Sequence, residues 1–276
     1  MNMRVRIAIG LVGLFFSIAH AQQTASDYFD KGMIKGSQGD IDGAIEDFTQ
    51  AIKLDPKSAL AYNNRGFAKL VKGDVDGAVV DLDQSIKLDP TAALTYNNRG
   101  SAKQGKHDWK GAIADFSRAI EIDPKYSAAY CNRAYSKRAN GDLAGSLPDF
   151  DEAIKLDPTS LQAYNNRGNA RLAQGNVKGA LEDFGQAIAI NPNVEVPYYS
   201  RANARSSQGD WDGAIADFSR AIEINPKMGA FYGGRAEAEK SKGDLIGAKA
   251  DFTQALSLNP DDPEARAGLN GLEQSK

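Results

Sequence analysis

Prolines stand 34 residues apart at Pro56, Pro90, Pro124, Pro158, Pro192, Pro226 and Pro260, and each closes a near-copy of one segment. A fixed period of this length constrains the fold more than any bulk property. It marks units that cannot bury their apolar faces alone and must stack on their neighbours. Stacking yields an extended curved surface and not a single pocket, so the function expected of the chain is binding.

Residues 59–92 serve as the type unit. Tyr62, Gly66, Ala68 and Leu70 fall on one helical face, and Val75, Ala78, Val79, Leu82, Ile86 and Leu88 on a second. Between them, Gly73 allows the left-handed turn that ends the first helix, and Asp74 is a good N-cap for the second. Pro90 cannot continue a helix and restricts Asp89 before it, so each unit reads as a helical hairpin. Gly66, Gly77, Ala78 and Ser85 recur one period away in kind, and small residues inside helices at such regular places predict close helix packing. None of the glycines sits in a phosphate-cradling frame.

An aromatic, a glycine four residues on, then Ala, Phe, Ala and Pro, as in Tyr28, Gly32, Ala44, Phe48, Ala51 and Pro56, resembles the tetratricopeptide repeat. The resemblance covers seven repeats within residues 22–260. It implies an all-α, right-handed α-solenoid of seven 34-residue helical hairpins with a C-terminal capping helix in residues 261–276. Two departures stand out. His107 replaces the turn glycine of Gly39, Gly73, Gly141, Gly175, Gly209 and Gly243, which predicts a strained turn or the use of Gly105 instead. Pro148 lies inside the second helix of the fourth repeat and predicts a kink across residues 142–150.

Two charged rows recur with the period: Asp47, Asp81, Asp115, Asp149, Asp183, Asp217 and Asp251, and Lys31, Arg65, Arg99, Arg133, Arg167, Arg201 and Arg235. Equal counts predict an ion-pair ladder, within one repeat or between two. Neutral amides form a third series, Asn63, Asn64, Asn97, Asn98, Asn132, Asn165 and Asn166. Asn64, Asn98, Asn132 and Asn166 share one slot on successive first helices and should align along the inner face. A carboxamide both donates and accepts, so such a row can read peptide main chain whatever its side chains. The row resembles the asparagine ladder in the superhelix of O-GlcNAc transferase, which implies an extended protein or peptide ligand. The competing reading is a local brace copied with each repeat. Family members that clamp a terminal carboxylate use cations where this chain has Phe29, Asn63, Asn97, Cys131, Asn165, Tyr199 and Gly233, so internal segments are the better expectation.

Other function classes find little support. Beyond residue 21 the chain has one histidine and one cysteine, and it lacks HExxH, GxSxG and CxxC, so no enzyme, cofactor or metal site is expected. Cys131 has no neighbouring base in sequence and reads as an inert apolar residue. Cations are scattered among acids, which disfavours nucleic acid. A self-associating structural protein of the envelope is the alternative to a scaffold, and the sequence leaves the oligomeric state open.

Arg4 and Arg6 precede an apolar run from Ile7 to Ile18 that ends in Ala19, His20 and Ala21. This predicts a signal peptide at residues 1–21, cut after Ala21, and a run too short for a membrane span. The expected location is periplasmic or secreted. Removing the two arginines takes the formal charge from −3 to −5.

Overall fold

The structure, a computed structural model, describes residues 23–274. The expected leader and its cut after Ala21 lie outside the described residues. Seven hairpins follow in order: α1 (Ala25–Ser37) with α2 (Ile41–Leu54), α3 (Ala59–Lys72) with α4 (Val75–Leu88), α5 (Ala93–Gly105) with α6 (Trp109–Ile122), α7 (Ser127–Ala139) with α8 (Leu143–Leu156), α9 (Leu161–Ala173) with α10 (Val177–Ile190), α11 (Glu195–Ser206) with α12 (Trp211–Ile224), and α13 (Gly229–Lys242) with α14 (Leu245–Leu258). A last helix, α15 (Pro263–Gln274), packs on α14.

Local chemistry sets each boundary. The turn glycines take φ between 74° and 94°, and His107 takes the same left-handed conformation at φ 58°. Every second helix opens on a carboxylate or amide cap. In the type unit, Asp74 accepts from the Gly77 amide at 2.9 Å. A Cβ on Gly77 would lie 2.2 Å from that carboxylate, so this glycine makes room for the cap and not for a neighbouring helix. Gly66 and Gly100 do serve helix packing, since a Cβ there would meet Leu82 at 2.9 Å and Phe116 at 2.7 Å.

Pro148 neither breaks nor delays its helix. α8 runs from Leu143 to Leu156 like its counterparts, with its Asp142 cap intact. Pro148 and Ala144, whose carbonyl loses its helical donor, both lie on the exposed face, where water can replace the missing bond.

Burial is local. Leu82, Phe116, Phe150, Phe184, Phe218 and Phe252 are fully buried, each beneath the small residues of its own and the next hairpin. Burying one such side chain stabilises by about 1.5–3 kcal/mol. The core is thus a file of small clusters. Among the described residues, first helices lie against the first helices of the next repeat, as in α3 with α5 and α9 with α11, more closely than second helices lie against one another. The array therefore curves toward its first helices, which line the inner face.

Candidate functional site

The charged rows form the frame of that face. Arg65, Arg99, Arg133, Arg167, Arg201 and Arg235 each hold the aspartate of their own hairpin through two parallel bonds of 2.6–3.0 Å. In five of the six a remaining nitrogen reaches back to the preceding hairpin, as Arg65 does to Thr49, Arg99 to Asp83 and Arg167 to Asp151, whereas Arg201 meets Gly185 there and makes no such bond. The pairing lies within a repeat and the tie runs between repeats. Bidentate geometry and burial of the aspartates make these charge-assisted bonds strong. Lys31 departs from the expected row: it lies over the Tyr28 ring at 5.6 Å, and Asp47 pairs with Lys35 at 2.7 Å. The hydrogen bond from Asp115, with a smaller one from Asp83, holds the Arg99 guanidinium above its ordinary range.

The asparagines stand on the same helices and pair with one another across repeats. Asn98 donates its Nδ2 to Asn63 Oδ1 at 3.0 Å, and Asn132 donates to Asn97 Oδ1 at 3.0 Å. Each rung uses one end of each carboxamide. The Nδ2 of Asn63 and Asn97 and the Oδ1 of Asn98 and Asn132 make no bond within the described residues, and none is sealed from solvent. Asn64 is half-buried and donates to the Leu60 carbonyl at 2.8 Å. Burial pushes the pKa of the Cys131 thiol up to about 11, offset only in part by Asn166 beside it, as befits an inert residue.

The row breaks after the fifth hairpin. Asn165 is buried and its Oδ1 has no donor, because the slot that supplies an amide in earlier repeats holds Ser200, a shorter side chain. The structure therefore brings Asn63 with Asn98 and Asn97 with Asn132 into two separate rungs, and leaves Asn64, Asn165 and Asn166 outside them. A series that simply lined the groove with free carboxamides is not what is found. One hydrogen-bonding group from each of four carboxamides braces consecutive repeats.

The sequence reading missed both ends of the groove. Met33, Phe67 and Val71, each about half exposed, surround an apolar cleft of ≈ 310 Å³ beside Asn64. Phe67 and Val71 lie one turn apart on an otherwise polar face, a spacing that could have flagged them. At the other end, Gly233 and Gly234 stand where earlier repeats carry amides, and a hollow of ≈ 260 Å³ opens between Tyr199, Asn203 and Glu237. Among the described residues no cluster of His, Cys, Asp and Glu is disposed to hold a metal ion, and no helix is long and apolar enough to cross a membrane.

Sequence profiles described as TPR repeat match residues 32–71, and profiles described as tetratricopeptide repeat match 97–159, 161–194, 196–228 and 230–262. A tetratricopeptide repeat protein from Parabacteroides merdae is similar in structure, with a TM-score of 0.69 at 17% identity over 90% of this chain and 98% of that one. PilW, described as a widely conserved type IV pilus biogenesis factor, is similar with a TM-score of 0.71 at 19% identity, over 76% of this chain and 98% of its own. YrrB, described as a TPR protein with an unusual peptide-binding site, gives a TM-score of 0.52 at 20% identity, over 67% and 95%. At these identities the likeness concerns the fold. No curated protein matches the chain.

Proposed function

The chain belongs to the tetratricopeptide-repeat family, and we propose that it is a non-enzymatic scaffold that holds an extended peptide segment along the inner face of its first helices. The fold supports a protein-interaction scaffold in general. The finer reading rests on the paired carboxamides. Each rung leaves one donor group and one acceptor unpaired, and repeated unpaired donors and acceptors on a rigid frame suit an extended main chain. The groove slots from Asn63 to Asn203 carry amides, hydroxyls and rings, so the segment is expected to be uncharged over most of its length. The apolar cleft at Phe67 offers a seat for one bulky side chain. The similar fold of YrrB, described with a peptide-binding site, agrees with this class of ligand.

Selecting a random library of 12-residue peptides against the protein and N-methylating the best binder one amide at a time tests the reading. A main-chain reader should lose tenfold or more for several single methylations and tolerate alanine at most positions. Indifference to N-methylation would overturn it. The leader at residues 1–21 supports an exported protein, periplasmic or secreted, with Gln22 as its first residue. The intact mass of native protein checks this, and a retained Met1 would contradict it.

A further inference from the structure

Four residues after the row cation, six hairpins carry a second cation: Lys35, Lys69, Lys103, Lys137, Arg171 and Arg205. Each lies 2.7–2.9 Å from the aspartate of its own hairpin. Several also donate to the carbonyl of the cap glycine, as Lys137 does to Gly145 at 3.2 Å and Arg205 to Gly213 at 3.1 Å. In the seventh hairpin the slot holds Glu239.

The side chain of Glu239 is 15% exposed, and its Oε2 is buried without a partner. Its Oε1 lies 3.8 Å from Arg235 Nε, which bonds Asp251 at 2.6 Å. The buried Oε2 sits over Gly247, 3.0 Å from where a Cβ would stand, in the region where the other hairpins place a donor. The charged groups facing it are Asp251 and Asp244 on α14 and Arg235 on its own helix. From α12 the cluster receives Ser219, whose hydroxyl bonds Arg235 at 3.0 Å. Lys240 turns instead to the Phe252 ring and Glu237. An ionised carboxylate here can only accept, and Arg235 already directs its donors to Asp251 and Ser219, whereas a carboxylic acid has a proton to donate.

We propose that the last hairpin is a pH-responsive latch in which Glu239, when protonated, supplies the missing donor toward Gly247 and Asp251 and closes α13 on α14. When Glu239 is ionised it faces Asp251 with only partial compensation from Arg235, which is already engaged by Asp251, and this hairpin opens more readily than the six before it. Burial, and after it the charge of Asp251, raise the Glu239 carboxyl above its ordinary 4.5. An acid that titrates higher in the folded state binds its proton more tightly there. Stability of the hairpin is therefore greatest below the ordinary carboxylate value, falls as pH rises toward the raised one, and is constant above it. A terminal repeat can open without unfolding the array, and Glu237 on α13 lines the hollow at that end of the groove, so the latch controls the shape of the groove's exit.

Hydrogen exchange of the full chain between pH 4 and 8, corrected for intrinsic chemistry, tests this. Protection of α13 and α14 relative to α3 and α4 should fall from acid to neutral pH. E239K, which copies the other hairpins, should restore that protection at neutral pH by a similar factor. E239Q, a neutral donor, should flatten the pH dependence. A protection ratio that does not change with pH in the wild type, that keeps its pH dependence in E239Q, or that E239K fails to raise would overturn the proposal.

Discussion

Gly77 is fixed by its neighbour three residues back. The Asp74 carboxylate that caps α4 occupies the space a Cβ would need, so G77A should lose the cap, at about 0.5–2 kcal/mol, although alanine is the better helix former by about 1 kcal/mol. In a D74A background the clash is gone, and G77A should become stabilising. Chemical denaturation of the four proteins checks the reversal of sign. Asn97 and Asn132 give a second test at this scale. A double-mutant cycle with alanine should return a coupling of about 0.5–1.5 kcal/mol, and N132A alone should destabilise because it leaves the buried Asn97 Oδ1 without its donor. The asparagine slots were legible in the sequence, but their pairing was not. The rungs join residues 35 apart, one more than the repeat, because the slot facing a neighbour on one helix is met by the next slot on its successor. Periodicity alone aligns equal slots and hides that offset.

Hairpin boundaries were readable because turn, cap and proline act within a few residues of one another. Of the two ways open to the third turn, the chain takes the left-handed His107 and not Gly105, which still belongs to α5. H107G should stabilise the protein by about 1 kcal/mol, read as a raised melting temperature, provided the edge contact of His107 with Trp109 contributes less than the left-handed backbone costs. Pro148 leaves its helix unbroken. The lost helical bond falls on the solvent side, and which side a residue faces depends on packing that sequence shows only indirectly. The second cation row was also missed, since Lys69 and its equivalents look like ordinary surface charge until the buried aspartate they share is seen.

At the scale of the whole molecule, the period of 34 made the solenoid legible, while the groove's chemistry appeared only once the first helices were seen side by side. Stability of such a stack is a sum of units and their interfaces. Deleting residues 261–276 should uncover the Phe252 cluster and lower solubility, whereas removing residues 127–160, one full period, should leave a shorter folded array. Circular dichroism and light scattering distinguish the two. Binding along the inner face is what the proposed function requires. Photo-crosslinking side chains placed singly at Asn169 on the inner face and at Val80 on the exposed side of α4, in protein made in its own cells, test that requirement most directly. Adducts with partner polypeptide at Asn169 and none at Val80 are predicted, and adducts at Val80 alone would contradict it.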